Sequence, residues 1–302
     1  MITRSSKLSR EALDQIGQLA LRNSILLDDW IPGNSNVENV VKVLRDEKDS
    51  WMVLTDDRPL AIFKLHLHEK QAKLQGFCPL DDGTRSLQGT ISVLRNEIFE
   101  MGAIEVRVKV PKSVSEPFVL NGFEKSRDLV RVSGRPFAMK MMPILRLSNV
   151  TKSAIPDLSK VLYQAYEGSS EKKYPSVKTA ELALQEIIGG QHGRYASDAS
   201  FLSGSPLNTV SASLITLGEG NMASVVELFT HPLYRARGFA TTELAAGMNW
   251  LVQNKVDVLT AWVPNSNDVA RRLFAKIGFK EDKQVVELVA RDNSSRSSNP
   301  TG

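Results

Sequence analysis

Glu227-Leu-Phe-Thr-His-Pro-Leu-Tyr-Arg-Ala-Arg-Gly-Phe-Ala240 is the stretch on which the reading of this chain turns. It closes an apolar run, Ala223–Phe229, with the composition of a strand. Leu244, Met248, Leu251 and Val252 then recur at helical spacing. Between them Arg235, Gly238 and Ala240 spell Arg-x-x-Gly-x-Ala. A helix start presents unpaired N–H groups and a partial positive charge, so a turn here is suited to an anion. A glycine lets backbone approach that anion, the small Ala240 leaves room, and Arg235 and Arg237 add charge that suits a pyrophosphate. Taken alone, the same residues also describe an exposed basic helix start.

Working outward, Val256–Val263 reads as a strand, and Ala270, Leu273, Phe274 and Ile277 as a helix stopped by Gly278. Ala199–Ser203 and Thr209–Leu217 are strands that precede the turn. The same order occurs earlier in the chain. Pro79 and Pro111 stand 153 residues before Pro232 and Pro264, and Leu87, Ile91, Leu94 and Ile98 mark a helix between them. Ala103–Val110 alternates, Asn121-Gly122-Phe123 mirrors the later Gly-Phe, and Trp51–Thr55 and Pro59–His68 are strands before it. Gly134, Arg135 and Pro136 break the pattern. The chain is therefore expected to hold two similar α/β (α+β) domains, residues 8–138 and 139–291, with residues 1–7 and the tail 292–302 disordered.

Composition narrows the function. The 302 residues are 42% apolar and 24% charged, ordinary for a globular chain. A net charge of +4 is too mild to argue for nucleic acid, and no apolar run approaches the ~18 residues that cross a bilayer. The first ten residues lack a secretory apolar stretch, so a cytoplasmic protein is expected. One cysteine, Cys78, forms no internal disulfide and reads as a packed residue. His66 and His68 share a strand face with no third ligand in view, so no metal is expected.

The stretch from Thr230 to Ala240 resembles the acyl-coenzyme A loop of the GCN5-related N-acetyltransferase superfamily, whose pattern is Gln/Arg-x-x-Gly-x-Gly/Ala after the fourth strand. Asn267-Asp-Val-Ala270 through Leu273 and Phe274 to Gly278-Phe279 is similar to the family's Asn-x-x-Ala-x-x-Leu-Tyr-x-x-x-Gly-Phe segment. The resemblance covers roughly residues 140–290. It implies tandem acetyltransferase-like domains, each a mixed, mostly antiparallel sheet flanked by helices with a splay between strands 4 and 5. By resemblance, the backbone of Arg235, Ala236, Arg237, Gly238, Phe239 and Ala240 holds the coenzyme A pyrophosphate. Phe229 and Thr230 pair with the pantetheine arm, and Asn267 and Phe274 belong to the same site. In the first copy, a gap-free 153-residue offset sets Asp82, Arg85 and Leu87 against Arg235, Gly238 and Ala240, and Leu74 against Glu227. A side chain at the glycine position and an aspartate at the arginine position oppose an anion, so that copy is expected to be degenerate.

The resemblance implies an acyl-coenzyme A-dependent N-acyltransferase, in which an amine, on a small molecule or peptide, attacks acetyl-coenzyme A directly without a metal. For the base, Glu227 is the candidate, a lone carboxylate in an apolar strand; the alternative is a glutamate paired with a basic residue. His231 is a second candidate base or a solvated turn residue. Phe274 stands where the family's tyrosine acid would be and donates no proton; Tyr234, Ser266 or water are left for that role. The segment Tyr163–Tyr174 is expected to shape the acceptor side, and the loop Gly189–Gly193 to be flexible beside it. Two rivals stand: an acyl-coenzyme A-binding regulator without turnover, and an interaction scaffold.

Overall fold

The computed structural model describes residues 1–22, 36–45, 51–56, 58–68, 70–80, 87–140, 146–169, 173–205, 208–218 and 221–292. In chain order the first elements are β1 (Ile2–Arg4), α1 (Arg10–Arg22), α2 (Val37–Arg45), β2 (Trp51–Asp56), β3 (Arg58–His68), β4 (Gln71–Pro79), α3 (Leu87–Glu100), β5 (Glu105–Pro111), α4 (Glu116–Leu120) and β6 (Glu124–Gly134). There follow β7 (Leu147–Asn149), α5 (Ile155–Glu167), α6 (Val177–Ile188), β8 (Arg194–Tyr195), β9 (Phe201–Ser205), β10 (Asn208–Leu217), β11 (Met222–Thr230), α7 (Phe239–Gln253), β12 (Val258–Pro264), α8 (Asp268–Lys276) and β13 (Lys280–Arg291).

Two compact units result, but not by a single cut at 138/139. One is Met1–Leu129 together with the chain from Lys283; the other is Val130–Asp282. Two strand segments therefore serve the unit that the expected boundary did not give them. Residues 130–138 belong to the second unit, where Val130 and Val132 sit in its core with Leu259 and Phe279. The end of β13 belongs to the first, pairing antiparallel with β5 from Val285↔Pro111 to Arg291↔Glu105. Its alternate residues Val286, Leu288 and Ala290 are buried in the first unit's core. The period-2 pattern of each strand explains its burial without revealing which sheet receives it.

In the first unit the sheet runs β1-β2-β3-β4-β5-β13. Residues 1–7 are not the disordered lead expected: Ile2–Arg4 pairs with Met52–Leu54, and Ile2 packs against the core. A short strand with an apolar residue facing a core needs only one paired neighbour to be ordered. The tail lies outside the described residues except Asp292, whose amide donates to the Ile104 carbonyl. Cys78 is fully buried and burial pushes its thiol up to about 12, in keeping with a packing role. Among the described residues no group of three potential metal ligands occurs, and no helix is long and apolar enough to cross a membrane.

In the second unit the order is β6-β12-β11-β10-β9-β7, with β8 on β10. All its neighbouring pairs from β11 to β7 are antiparallel, while β11 and β12 are parallel. Helix α7 is buried along Thr242–Met248 and at Leu251, and Gly247 brings it against the sheet: a Cβ there would lie 2.7 Å from both the Ala199 carbonyl oxygen and Ile215 Cδ1. Gly→Ala in a helix ordinarily stabilises by up to ~1 kcal/mol. At Gly247 the sign is expected to reverse, with Gly247→Ala losing ~1–3 kcal/mol in urea unfolding because backbone must move.

Each unit repeats one feature. In the second, β11 and β12 pair over Met222–Val225 and Val258–Ala261 and then part; in the first, β4 and β5 pair over Gln71–Leu74 and Glu105–Val108 and then part. This is the splay expected between the fourth and fifth strands. The ladders also correct the alignment of the copies: Leu74, the last residue paired before the strands part, stands where Val225 does and not where Glu227 does. The gap-free offset fails because the end of the ladder and the proline are five residues apart in the first copy and seven in the second.

Candidate functional site

A cavity of about 500 Å³ opens where β11 and β12 part. Its walls come from the end of β11 (Leu228, Phe229, Thr230), the turn and first residues of α7 (Tyr234 to Ala236 and Gly238 to Thr241), the start of α8 (Ser266, Asn267, Val269, Ala270, Leu273) and the end of α5 (Ala165, Tyr166, Ser169). Of the residues singled out in the sequence, Phe229, Thr230, Arg235, Ala236, Gly238, Phe239, Ala240 and Asn267 meet here.

The turn's conformation follows from its residues. Gly238 is left-handed at φ 83° and stands at the N-cap of α7 without a side-chain cap. Ala236 is left-handed too, at φ 59°, a conformation that costs a residue with Cβ of the order of 1 kcal/mol. The first helical bond of α7 runs from the Thr242 amide to the Gly238 carbonyl. The amides from Ala236 to Thr241 accordingly donate to nothing among the described residues. A coiled turn of unpaired amides at the start of a 15-residue helix has the geometry that suits an anion.

The arginines do something other than expected. Arg235 turns back: Nη2 donates to the Ala165 carbonyl at 2.7 Å and Nε to the Thr230 carbonyl at 3.4 Å, so the side chain ties the turn to the last residues of α5. Arg237 is exposed, lies over the Tyr234 ring at 5.4 Å, and does not line the cavity. Phe274 does not line it either. It is 2% exposed, against Phe279 in the core, and Leu273 faces the cavity in its stead. Asn267 caps α8 by accepting from the Ala270 amide at 3.1 Å. His231 is occupied in the turn, its Nδ1 accepting from the Leu233 amide. Tyr234 and Ser266, the substitutes for an acid, both line the cavity.

Glu227 is buried, and three donors converge on it: Tyr166 Oη at 2.8 Å on Oε1, and Lys173 Nζ at 2.5 Å and Tyr174 Oη at 3.0 Å on Oε2. A bulge explains the orientation. The β10–β11 register shifts so that Leu214 faces Glu227 while Ile215 faces Val225, leaving Val226 as an extra residue. Before it Ala223 and Val225 face the α7 side of the sheet; after it Glu227 and Phe229 face α5. Of the two readings of this carboxylate, the paired one describes its contacts. It does not line the cavity, but Tyr166 does, so Glu227 stands one hydroxyl away. The Tyr163–Tyr174 segment thus reaches the site through Ala165, Tyr166 and Ser169. The loop Gly189–Gly193 does not: it is pinned near Leu217, at the opposite end of β10, where Thr216 donates to the His192 carbonyl.

A second carboxylate, not singled out in the sequence, lies under α7. Glu243 is fully buried against Ser203 of β9 and Ser211 of β10. Ser211 Oγ donates to Oε2 at 2.9 Å, while Oε1 has no partner in hydrogen-bond geometry. Burial pushes this carboxyl up to about 8, opposed only by the attraction of Ser203 and Ser211. Its signal was available: one acid inside the otherwise apolar Leu244–Met248 helix, opposite serines alternating in apolar strands.

Comparison with known proteins places these features in context. The FR47-like protein family model matches residues 203–288, which spans β10, β11, the turn, α7, β12 and α8. An uncharacterized N-acetyltransferase of Methanocaldococcus jannaschii is 23% identical over 145 residues, 47% of this chain and 62% of that relative's length. Among solved structures, a GCN5-related N-acetyltransferase from Sphaerobacter thermophilus superposes with a TM-score of 0.64 at 13% identity, covering 93% of each chain. A tandem GNAT protein from the clavulanic acid biosynthesis pathway gives 0.61 at 13% identity, over 96% of this chain and 97% of that one.

Proposed function

We propose that this chain, whose fold is that of the tandem GCN5-related N-acetyltransferases, is an acyl-coenzyme A-dependent N-acyltransferase whose working site is the cavity of the second unit. The observation that carries the reading is the coincidence of two features at one cavity: a left-handed turn with unpaired amides from Ala236 to Thr241, and a strand edge released at the β11–β12 splay. The amides suit a pyrophosphate. The freed edge from Val226 to Thr230 suits an extended chain with amide groups of its own, such as pantetheine. Acetyl-coenzyme A has both parts.

In the proposed reaction the amine attacks the thioester carbonyl in a ternary complex and coenzyme A leaves as its thiolate. A thiol with an ordinary pKa near ~8.5 leaves without strict need of an acid. That suits a site in which Phe274 is absorbed into the core and the hydroxyl-bearing residues Thr230, Tyr234, Thr241 and Ser266 line the cavity. Glu227 acts on the amine's side through Tyr166, whose hydroxyl it orients at the wall. The amine, of a small molecule or a peptide, enters beside Tyr166 and Ser169.

The test is calorimetric titration of acetyl-coenzyme A into the wild type and Gly238→Arg. The substitution puts a side chain at a left-handed position on the cavity wall, and loss of detectable one-to-one binding is expected. A stoichiometry of two would show that the first unit also binds; its turn at residues 81–86, with Asp82 and Arg85, lies outside the described residues. Absence of binding to the wild type would overturn the reading in favour of a scaffold. Binding without thiol release across a panel of amines would favour a regulator.

A further inference from the structure

Ser211 links the two sides of the second unit's chemistry. Its Oγ lies 2.9 Å from Glu243 Oε2, 2.9 Å from Thr230 Oγ1 and 2.8 Å from the Phe229 carbonyl oxygen. Thr230 lines the cavity; Glu243 is fully buried behind it. A hydroxyl has one proton to give and two lone pairs. When Glu243 is ionised it is the strongest acceptor of the three and takes the Ser211 proton. The Ser211–Thr230 bond can then exist only with Thr230 as donor, so Thr230 turns lone pairs to the cavity. When Glu243 carries its proton it can donate to Ser211. Ser211 then has its own proton for Thr230 or for the Phe229 carbonyl, and when it goes to Thr230 the Thr230 proton points into the cavity.

We propose that Glu243 is a positioning residue for the cavity: through Ser211, its proton releases the Thr230 hydroxyl to donate toward the oxygen or sulfur on which negative charge develops. No proton need leave the relay; what passes along it is the direction of two hydrogen bonds. This rests on the acyltransferase reading for its consequence and on the geometry alone for its mechanism. The elements packed against Glu243 present Ser203 and Ser211 to it, and no charged side chain contributes to its raised proton affinity. The groups that face the carboxyl are neutral hydroxyls and backbone of Ser203 and Ser211, which can serve it in either protonation state.

The experiment separates mechanism from consequence. In free protein with labelled threonine methyls, the Thr230 resonance is followed from about pH 6 to about pH 10. A shift with a midpoint near 8 is expected in the wild type, and no such shift in Glu243→Gln, which keeps a neutral donor, or in Ser211→Ala, which cuts the relay. With acetyl-coenzyme A and an accepted amine, kcat should fall severalfold above that midpoint in the wild type and lose this inflection in both variants. A Thr230 shift that survives in Ser211→Ala, or none in the wild type, overturns the relay. A shift that follows Glu243 in a protein that binds no acetyl-coenzyme A supports the relay and removes only the acyltransferase reading.

Discussion

Between about pH 5 and about pH 9 the second unit is expected to lose of the order of 4 kcal/mol of stability at one side chain, Glu243. In the unfolded chain a glutamate titrates near ~4.3; in the fold, burial raises this one to about 8. Within that window the folded state holds a proton that the unfolded state has released. Stability therefore falls as pH rises, and levels off above the folded value, where both states are ionised. Each tenfold change in proton affinity is worth about 1.4 kcal/mol, which sets the size. Glu243→Gln removes the titration and keeps the shape. In urea unfolding at pH 5, 7 and 9 it should match the wild type at the acid end and exceed it by several kcal/mol at the alkaline end. Parallel slopes for the two proteins would show that the carboxyl relaxes toward water or finds a donor when ionised.

Why Glu243 escaped notice while the turn beside it did not is a matter of what a sequence can display. The turn announces itself through Gly238 and the proline and strand before it, because left-handed backbone restricts residue choice. Strands and helices show their periods, so the repeat was legible, while the splay came only with the family resemblance. What periodicity hides is partnership. Val130 and Val132 alternate properly whichever sheet takes them, and so do Val286, Leu288 and Ala290; only the paired strands reveal that each segment serves the other unit. The bulge at Val226 is equally silent in sequence, yet it decides that Glu227 faces α5. Long side chains mislead in their own way. Arg235 sits where a phosphate-binding cation is expected, but its guanidinium is spent on the carbonyls of Ala165 and Thr230, which leaves the unpaired amides as the donors of the turn.

The Lys173–Glu227 pair is expected to give the other large effect. The glutamate side chain is 2% exposed and the lysine side chain 28%, so Lys173→Met leaves a buried charge with only the Tyr166 and Tyr174 hydroxyls to compensate it. Breaking a buried pair from one side costs ~3–5 kcal/mol; with one partner partly in water, the lower end of that range is expected in chemical unfolding. Adding Glu227→Gln to Lys173→Met should restore most of the loss, since the charge that lacked a partner is gone. Kinetics then divide the two roles for Glu227. If it acts through Tyr166, Glu227→Gln and Tyr166→Phe should each lower kcat more than KM rises, and the double variant should be little worse than either, because both break one bond. A direct base would give a different pattern: Glu227→Gln would remove nearly all turnover while Tyr166→Phe left it almost intact. The geometry favours the first outcome, because the hydroxyl at the cavity wall belongs to Tyr166 and Glu227 holds it from behind.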